Sequence, residues 1–298
     1  MSAQTEIILH RIRNCTEKLT YCGMKFLIDP FFTPKGYYPG FEMCPGKDKK
    51  EIRLPMVDLP IPIDEIIKDI VAVLVTHTHV DHWDEYTSKY IPKDIPIFVQ
   101  NSWDKKLIVD QGFKDVRVLG INVPFKGITL TKTGGQHGDD SVLSDTTIAE
   151  NFGDSMGFVF KAPGQKTVYF AGDTIWHDYV EIALKKHKPD IIILNAAQAV
   201  YEGLSGGSMM GPDDVKRCYE FCKNAKIIPT HMNSYPHLLC TIEKMKKFVE
   251  ENKLQDRVIV PEDGEVLKFW IFGNLKINNG IIIKPNIALF YVFNGILV

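Results

Sequence analysis

The sequence predicts an α/β fold, and three observations carry that expectation. Strand-length apolar runs such as Val73-Leu-Val75 and Ile191-Ile-Ile-Leu194 alternate along the chain with segments of helical length. Apolar residues fill 45% of the 298 positions, enough for the sizeable core of one large domain or two smaller ones. Several apolar runs also stop abruptly in aspartate or histidine, and in open α/β sheets ligands gather outside the carboxyl ends of strands.

From the N-terminus, residues 5–13 alternate weakly, and Met24-Lys-Phe-Leu-Ile28 is a strand halted by Asp29-Pro30; these are the first expected strands. Residues 30–62 are broken repeatedly by proline and carry Phe31, Phe32, Tyr37, Tyr38 and Phe41, which suits a lid giving a pocket its apolar walls. A short helix over 63–70 has Asp64 and Glu65 in its first turn, where the helix dipole favours acids. After the strand from Val73 come a helix over 84–90, a strand over 95–100, a helix over 101–111, and strands near 115–119 and 128–133. Segment 138–155 is polar and acidic and reads as a loop beside a site. Strands over 157–161 and 166–171 flank the turn Ala162-Pro-Gly-Gln165. A helix over 178–187 then leads to a strand over 191–195. The glycine-rich stretch 203–211 has neither a GxGxxG nor a GxxxxGK[ST] pattern, so it is no nucleotide loop. It precedes Pro212-Asp-Asp214, a helix start. A strand over 226–230, a helix over 241–252 and strands over 257–260 and 265–272 complete a domain spanning 1–272. The extension 273–298 holds two apolar bursts split by Lys284-Pro-Asn286, each of strand length. Extra edge strands or a contact in a homo-oligomer are the expectations for it.

Composition narrows the partners. Lysine and arginine total 35 against 37 acidic residues, so no global field recruits nucleic acid, and no nucleic-acid partner is expected. The clusters Lys185-Lys186-His187-Lys188 and Lys244–Lys247 fall on predicted helices and read as solvated faces. The six cysteines, Cys15, Cys22, Cys44, Cys218, Cys222 and Cys240, include no CxxC pair and read as reduced thiols of a cytoplasmic protein. No leader pattern opens the chain and no apolar run approaches about 20 residues, so no membrane span is expected.

The chemistry concentrates in Val73-Leu-Val-Thr-His77-Thr-His79-Val-Asp81-His82. On a strand, residues i and i+2 share a face, so His77 and His79 project together, while a tight turn aims Asp81 and His82 at a neighbouring point. Four other strand ends deliver Asp29, His137 (within Gly134-Gly-Gln-His137-Gly), Asp173 (after Phe170-Ala-Gly) and His231. The set divides naturally. His77, His79 and His137 suit one metal; Asp81, His82 and His231 suit a second; Asp173, with two carboxylate oxygens, suits bridging both. Two divalent ions are therefore expected, and donors of nitrogen and oxygen alone suit zinc, and also manganese or iron. Asp29 sits where an outer carboxylate would orient a ligating imidazole, and a strand-capping role for it is equally compatible.

The order Asp29, His77-Thr-His-Val-Asp-His82, His137, Asp173, His231 resembles the metallo-β-lactamase superfamily over about residues 5–272. The resemblance implies a four-layer αβ/βα sandwich with a dinuclear site along one edge and Asp173 bridging. Ala171-Gly-Asp-Thr-Ile-Trp176 looks most like the stand-alone hydrolases related to ascorbate-6-phosphate lactonase. True β-lactamases lack counterparts of His82 and Asp173. Ribonuclease Z relatives carry a basic, Gly/Pro-rich exosite insertion that this sequence does not show, and no residues remain for the flavodoxin domain of flavin-dependent diiron oxygen reductases. The resemblance further implies a histidine facing substrate near the site, and His237 is its candidate; protonated it would serve a leaving group, neutral it would bind a developing oxyanion. Trp176 and His177 are candidates for the same mouth.

The expected activity is metal-dependent hydrolysis by a hydroxide that two ions share, acting on a small ester, lactone or phosphorylated substrate. Asp81, Asp173 and His237 are the catalytic candidates. Phosphodiester cleavage in RNA or phospholipid is the second expectation, and a non-catalytic metal-binding module the third.

Overall fold

The computed structural model describes residues 6–144, 149, 152, 155–270, 292–293 and 296–297. Strands β1 (Ile7–Arg13), β2 (Thr16–Tyr21), β3 (Met24–Ile28), β4 (Ile70–Val75), β5 (Ile97–Val99) and β6 (Val116–Val118) come from the N-terminal half. Strands β7 (Val123–Phe125), β8 (Ile128–Gly134), β9 (Met156–Lys161), β10 (Val168–Phe170), β11 (Ile191–Asn195) and β12 (Lys226–Thr230) follow, and β13 (Val266–Phe269) returns to the first group. They form a seven-stranded sheet ordered β13-β1-β2-β3-β4-β5-β6 and a six-stranded sheet ordered β12-β11-β10-β9-β8-β7. Both sheets are mixed. In the first, β3, β4, β5 and β6 run parallel; in the second, β10, β11 and β12 do.

Period-two alternation sorts the side chains onto two faces, and here both faces are buried. Phe26, Ile28, Ala72 and Leu74 from the first sheet meet Phe158, Phe160, Val168, Phe170, Ile191 and Ile193 from the second in one central cluster. The intervening residues Leu27, Val73 and Val75 point outward to Ile66, Trp83 and Ile108. Val159, Tyr169, Ile192 and Leu194 point outward the other way, to Val180, Leu184, Val215 and Met245. The outer layers are helical: α1 (Lys47–Lys50), α2 (Ile63–Ile67), α3 (Glu85–Ser88), α4 (Ser102–Asp110), α5 (Asp140–Leu143), α6 (Asp178–His187), α7 (Pro212–Phe221) and α8 (Ile242–Glu251). The result is the αβ/βα sandwich that the resemblance implies. Each fully buried Phe, Ile or Leu contributes about 1.5–3 kcal/mol to holding the layers together.

Local chemistry sets the helix starts. Asn101 accepts from Asp104 N at the head of α4, Thr241 from Lys244 N at the head of α8, and Pro212 opens α7 as the sequence predicts.

Several expectations change. The strand expected over 257–260 reduces to one bridge, Val258 with Ile227, because Pro261 has no N–H to extend the ladder. The helices expected over 63–70 and 84–90 are shorter, and the loop 138–155 contains α5, capped by Asp139. Strands β2 and β7 were not foreseen. β4 ends at Val75, so His77 and His79 stand on the turn beyond it rather than on one strand face. The extension 273–298 lies outside the described residues except for a short antiparallel pair, Val292–Phe293 with Ile296–Leu297.

Candidate metal centre

Five strand ends converge at one edge of the sandwich: β3 before Asp29, β4 before His77, β8 before His137, β10 before Asp173 and β12 before His231. The turn after β4 is closed by hydrogen bonds from His82 N and Trp83 N to His79 O, both 2.9 Å, which brings His77, His79, Asp81 and His82 round one point. Gly172, at φ +69°, makes the bend that aims Asp173; a Cβ there would stand 2.4 Å from Met156 O. Asp29 and His231 also adopt left-handed conformations, φ 42° and 70°. Each costs on the order of 1 kcal/mol or more in a non-glycine residue, strain the surrounding structure must hold.

All seven side chains singled out as ligands meet here. His79 Nδ1 lies 2.8 Å from His77 Nε2 and 3.2 Å from His137 Nε2. On the other side, His82 Nε2 is 3.0 Å from His231 Nε2, and His231 Nε2 is 3.2 Å from Asp81 Oδ2. Asp173 Oδ2 stands between the two groups, 3.3 Å from His82 Nε2, 3.5 Å from His231 Nε2 and 3.8 Å from His137 Nε2. Donors placed tetrahedrally about 2.0–2.1 Å from a zinc ion are about 3.3 Å apart, so these separations fit metal-sized cradles.

The outer contacts set which ring nitrogen faces inward. His137 Nδ1 donates to Ser208 O at 2.8 Å and His82 Nδ1 to Asp29 Oδ2 at 2.9 Å, leaving each Nε2 lone pair for a metal. Asp29 also accepts from Thr76 N and Thr76 Oγ1, at 2.7 and 2.8 Å, in keeping with the outer role expected of it. Asp173 Oδ1 accepts from Asn195 Nδ2 at 2.7 Å, and Asn195 Oδ1 accepts from Thr230 Oγ1 at 3.0 Å. Asn14 Nδ2 reaches Asp81 Oδ2 at 3.3 Å. Asn14, Asn195, Ser208 and Thr76 were not singled out from sequence; they carry no motif, and only the tertiary fold brings them here.

Burial works to raise the Asp173 and Asp81 carboxyls, but the neighbouring imidazoles outweigh it and hold both well below the usual range. Burial lowers His137 to about 4 against the pull of Asp173.

His237 is packed among rings, with centroids 4.7 Å from Phe41, 5.5 Å from Tyr201 and 5.7 Å from Tyr235. Burial pulls it to about 4, so it is neutral at neutral pH, and its Nδ1 has no partner. The protonated role therefore falls and the neutral one is left. Phe41 comes from the long loop expected to supply apolar walls, and Phe152 extends the wall against His79 and His137. Trp176 does not line the mouth: its ring packs on Phe221 under Arg217, and its Nε1 donates to Glu181. His177 caps α6.

A cleft of about 850 Å³ opens over His77, His79 and His137, walled by Asn101, Trp103, Lys132, Gln136, Phe152 and Tyr179. Among its described lining residues Lys132 is the single lysine or arginine, and its Nζ is held by Gln100 O at 2.6 Å. No helix among the described residues is long and apolar enough to cross a membrane.

A family described as the β-lactamase superfamily domain matches residues 25–232. UPF0173 protein YddR of Bacillus subtilis is 39% identical over 87% of this chain and 98% of its own length. A possible metal-dependent hydrolase from Veillonella parvula superposes with a TM-score of 0.84 at 44% identity, over 89% of this chain and 99% of that one. An isothiocyanate hydrolase from Delia radicum gut bacteria superposes with a TM-score of 0.84 at 38% identity, over 88% and 99%. The chain belongs to the metallo-β-lactamase superfamily.

Proposed function

We propose that this chain hydrolyses a small, uncharged substrate with an electrophilic carbon: an ester, a lactone or an isothiocyanate. The carrying observation is the composition of the walls. The cradle of His77, His79 and His137 opens onto a cleft whose described lining offers aromatic rings and amides but one tethered lysine, and no arginine to grip phosphate. The phosphorylated substrates and phosphodiesters considered from sequence fit this lining less well. The likeness to an isothiocyanate hydrolase, at 38% identity, supports the same reading.

His77 Nε2, His79 Nδ1 and His137 Nε2 would hold a first ion, Asp81 Oδ2, His82 Nε2 and His231 Nε2 a second, with Asp173 Oδ2 shared. Bound ions of this kind lower the pKa of water towards neutrality and polarise the substrate. Phe152 and Phe41 exclude bulk water from one side. His237, neutral in its aromatic box, offers an N–H to charge developing on the substrate. For an isothiocyanate, oxygen from water would bond to the central carbon, both water protons would pass to nitrogen, and the bond between that nitrogen and the central carbon would break, releasing a primary amine and carbonyl sulfide.

Purified protein should contain two divalent ions per chain and turn over benzyl isothiocyanate, a p-nitrophenyl ester or a γ-lactone faster than bis-p-nitrophenyl phosphate. Full activity after exhaustive chelation, or a preference for the phosphodiester, would overturn the reading.

A further inference from the structure

The donor set that sequence assigns to this site contains nitrogen and oxygen alone, yet the structure brings a sulfur to it. Cys15 lies in the turn between β1 and β2 and is 1% exposed. Ligand atoms of Cys15, His82 and His231 all fall within 4.8 Å of one another. The turn is tied down on every side. Asn14, at φ 56°, reaches Asp81 through its side chain and accepts from His231 N at 2.9 Å through its carbonyl. Cys15 Sγ lies 3.2 Å from Asp81 O, and Thr16 Oγ1 donates to Asp29 O at 2.8 Å. Sγ itself also lies 3.5 Å from Asn14 Nδ2 and 4.0 Å from Asp29 O.

A second observation concerns His231. His82 and His137 each have their outer nitrogen fixed by an oxygen acceptor, whereas His231 Nδ1 is buried with no hydrogen-bond partner. Its outer nitrogen therefore lacks the oxygen acceptor that orients the other two rings.

We infer that Cys15 supplies a thiolate donor to the second metal position, beside Asp81, His82 and His231. Metal binding replaces the S–H bond with a metal–sulfur bond, and the proton passes to solvent. Sulfur makes this half of the site selective for thiophilic ions, zinc or cadmium over manganese, a preference the histidines and aspartates do not impose. The inference rests on the two-ion reading above, and the experiment separates the two.

The test is titration of the metal-free full chain with Co²⁺, for the wild type, Cys15→Ser and Cys15→Ala, followed by absorption spectroscopy. The expected result is a near-ultraviolet sulfur-to-cobalt charge-transfer band in the wild type, absent from both variants, with visible d–d bands in all three showing that they fold and bind cobalt. Cd²⁺ affinity should fall at least about tenfold in both variants, with Mn²⁺ affinity little changed. Visible bands without a charge-transfer band in the wild type would overturn the sulfur assignment alone. So would a band that survives in the variants, or cadmium affinity restored by serine, which keeps a hydrogen bond to Asp81 O. Absence of any cobalt spectrum would overturn the two-ion reading together with it.

Discussion

The two halves of the site use the same ring in opposite electrostatic settings. In the half facing the cleft, burial and then the neighbouring imidazoles lower His77, and burial lowers His137 to about 4. In the inner half, burial opposes the charged form of His82 and His231 but is outweighed by Cys15 and the carboxylates of Asp173, Asp29 and Asp81, so both are raised well above 6.5. The outer half is an imidazole cup open to substrate. The inner half is a closed, carboxylate-rich pocket in which protons compete with metal. Identical residue types therefore acquire different tasks from their neighbours alone.

The strongest way to break this contrast is to remove the one group common to both halves. Asp173→Ala should lower kcat/KM at least about 10³-fold, equivalent to about 4 kcal/mol of transition-state stabilisation, and reduce metal content at both positions. Metal analysis beside steady-state kinetics checks it. A variant that kept one ion fully bound would mean that Asp173 serves a single half.

Asp29→Asn is the next in size and should touch one half only. Asp29 orients His82, a residue of the inner half, and takes both hydrogen bonds from Thr76. Loss of such an outer carboxylate costs about 10–100-fold in metal affinity. Competition with a chromophoric chelator should show weakening of the second ion, with the first unchanged.

How much of this was legible in the sequence follows from where each group sits. The seven donors stand directly after apolar runs, and a run that stops in histidine or aspartate advertises a strand tip whatever the rest of the chain does. Asp29 was legible for the same reason. Cys15, Asn14 and Asn195 were not. The first two sit in a turn between two strands of which only one was foreseen, and their approach to Asp81 depends on the pairing of β1 with β2. Phe152 falls in a stretch whose polarity suggests a loop, so its ring over His79 is a tertiary fact. His237 was singled out, but its burial depends on Phe41 and Tyr201, rings that come from distant segments, as well as on the neighbouring Tyr235. Pattern thus finds donors at strand ends; it does not find what long-range packing places around them.

The proton contrast can be measured directly. His82 and His231 are raised well above 6.5 against their burial, while burial lowers His77 and His137. Filling the inner half, where the Cys15 thiol also gives up its proton, should therefore release more protons than filling the outer half, and its affinity should rise more steeply with pH. Calorimetric titration in buffers of different ionisation enthalpy counts them. Equal release from both ions would remove the electrostatic distinction.

The smallest effect belongs to His237, and it sharpens the contrast by asking whether the aromatic wall behaves like the outer half. Its folded-state pKa of about 4 lies below the ordinary 6.5. Above pH 6.5 the ring is neutral whether the chain is folded or not, so it adds no pH dependence there. Between 6.5 and 4 the unfolded chain takes up a proton that the folded one refuses, and stability falls as pH falls, by at most about 3 kcal/mol across the window. In His237→Phe that contribution disappears, because the ring cannot titrate and the box is already aromatic. The variant's thermal unfolding should match the wild type near pH 7.5 and fall less steeply towards pH 4.5, the difference amounting to about one proton. Parallel curves would show that His237 is not held neutral, and would return to it the protonated role that its packing now argues against.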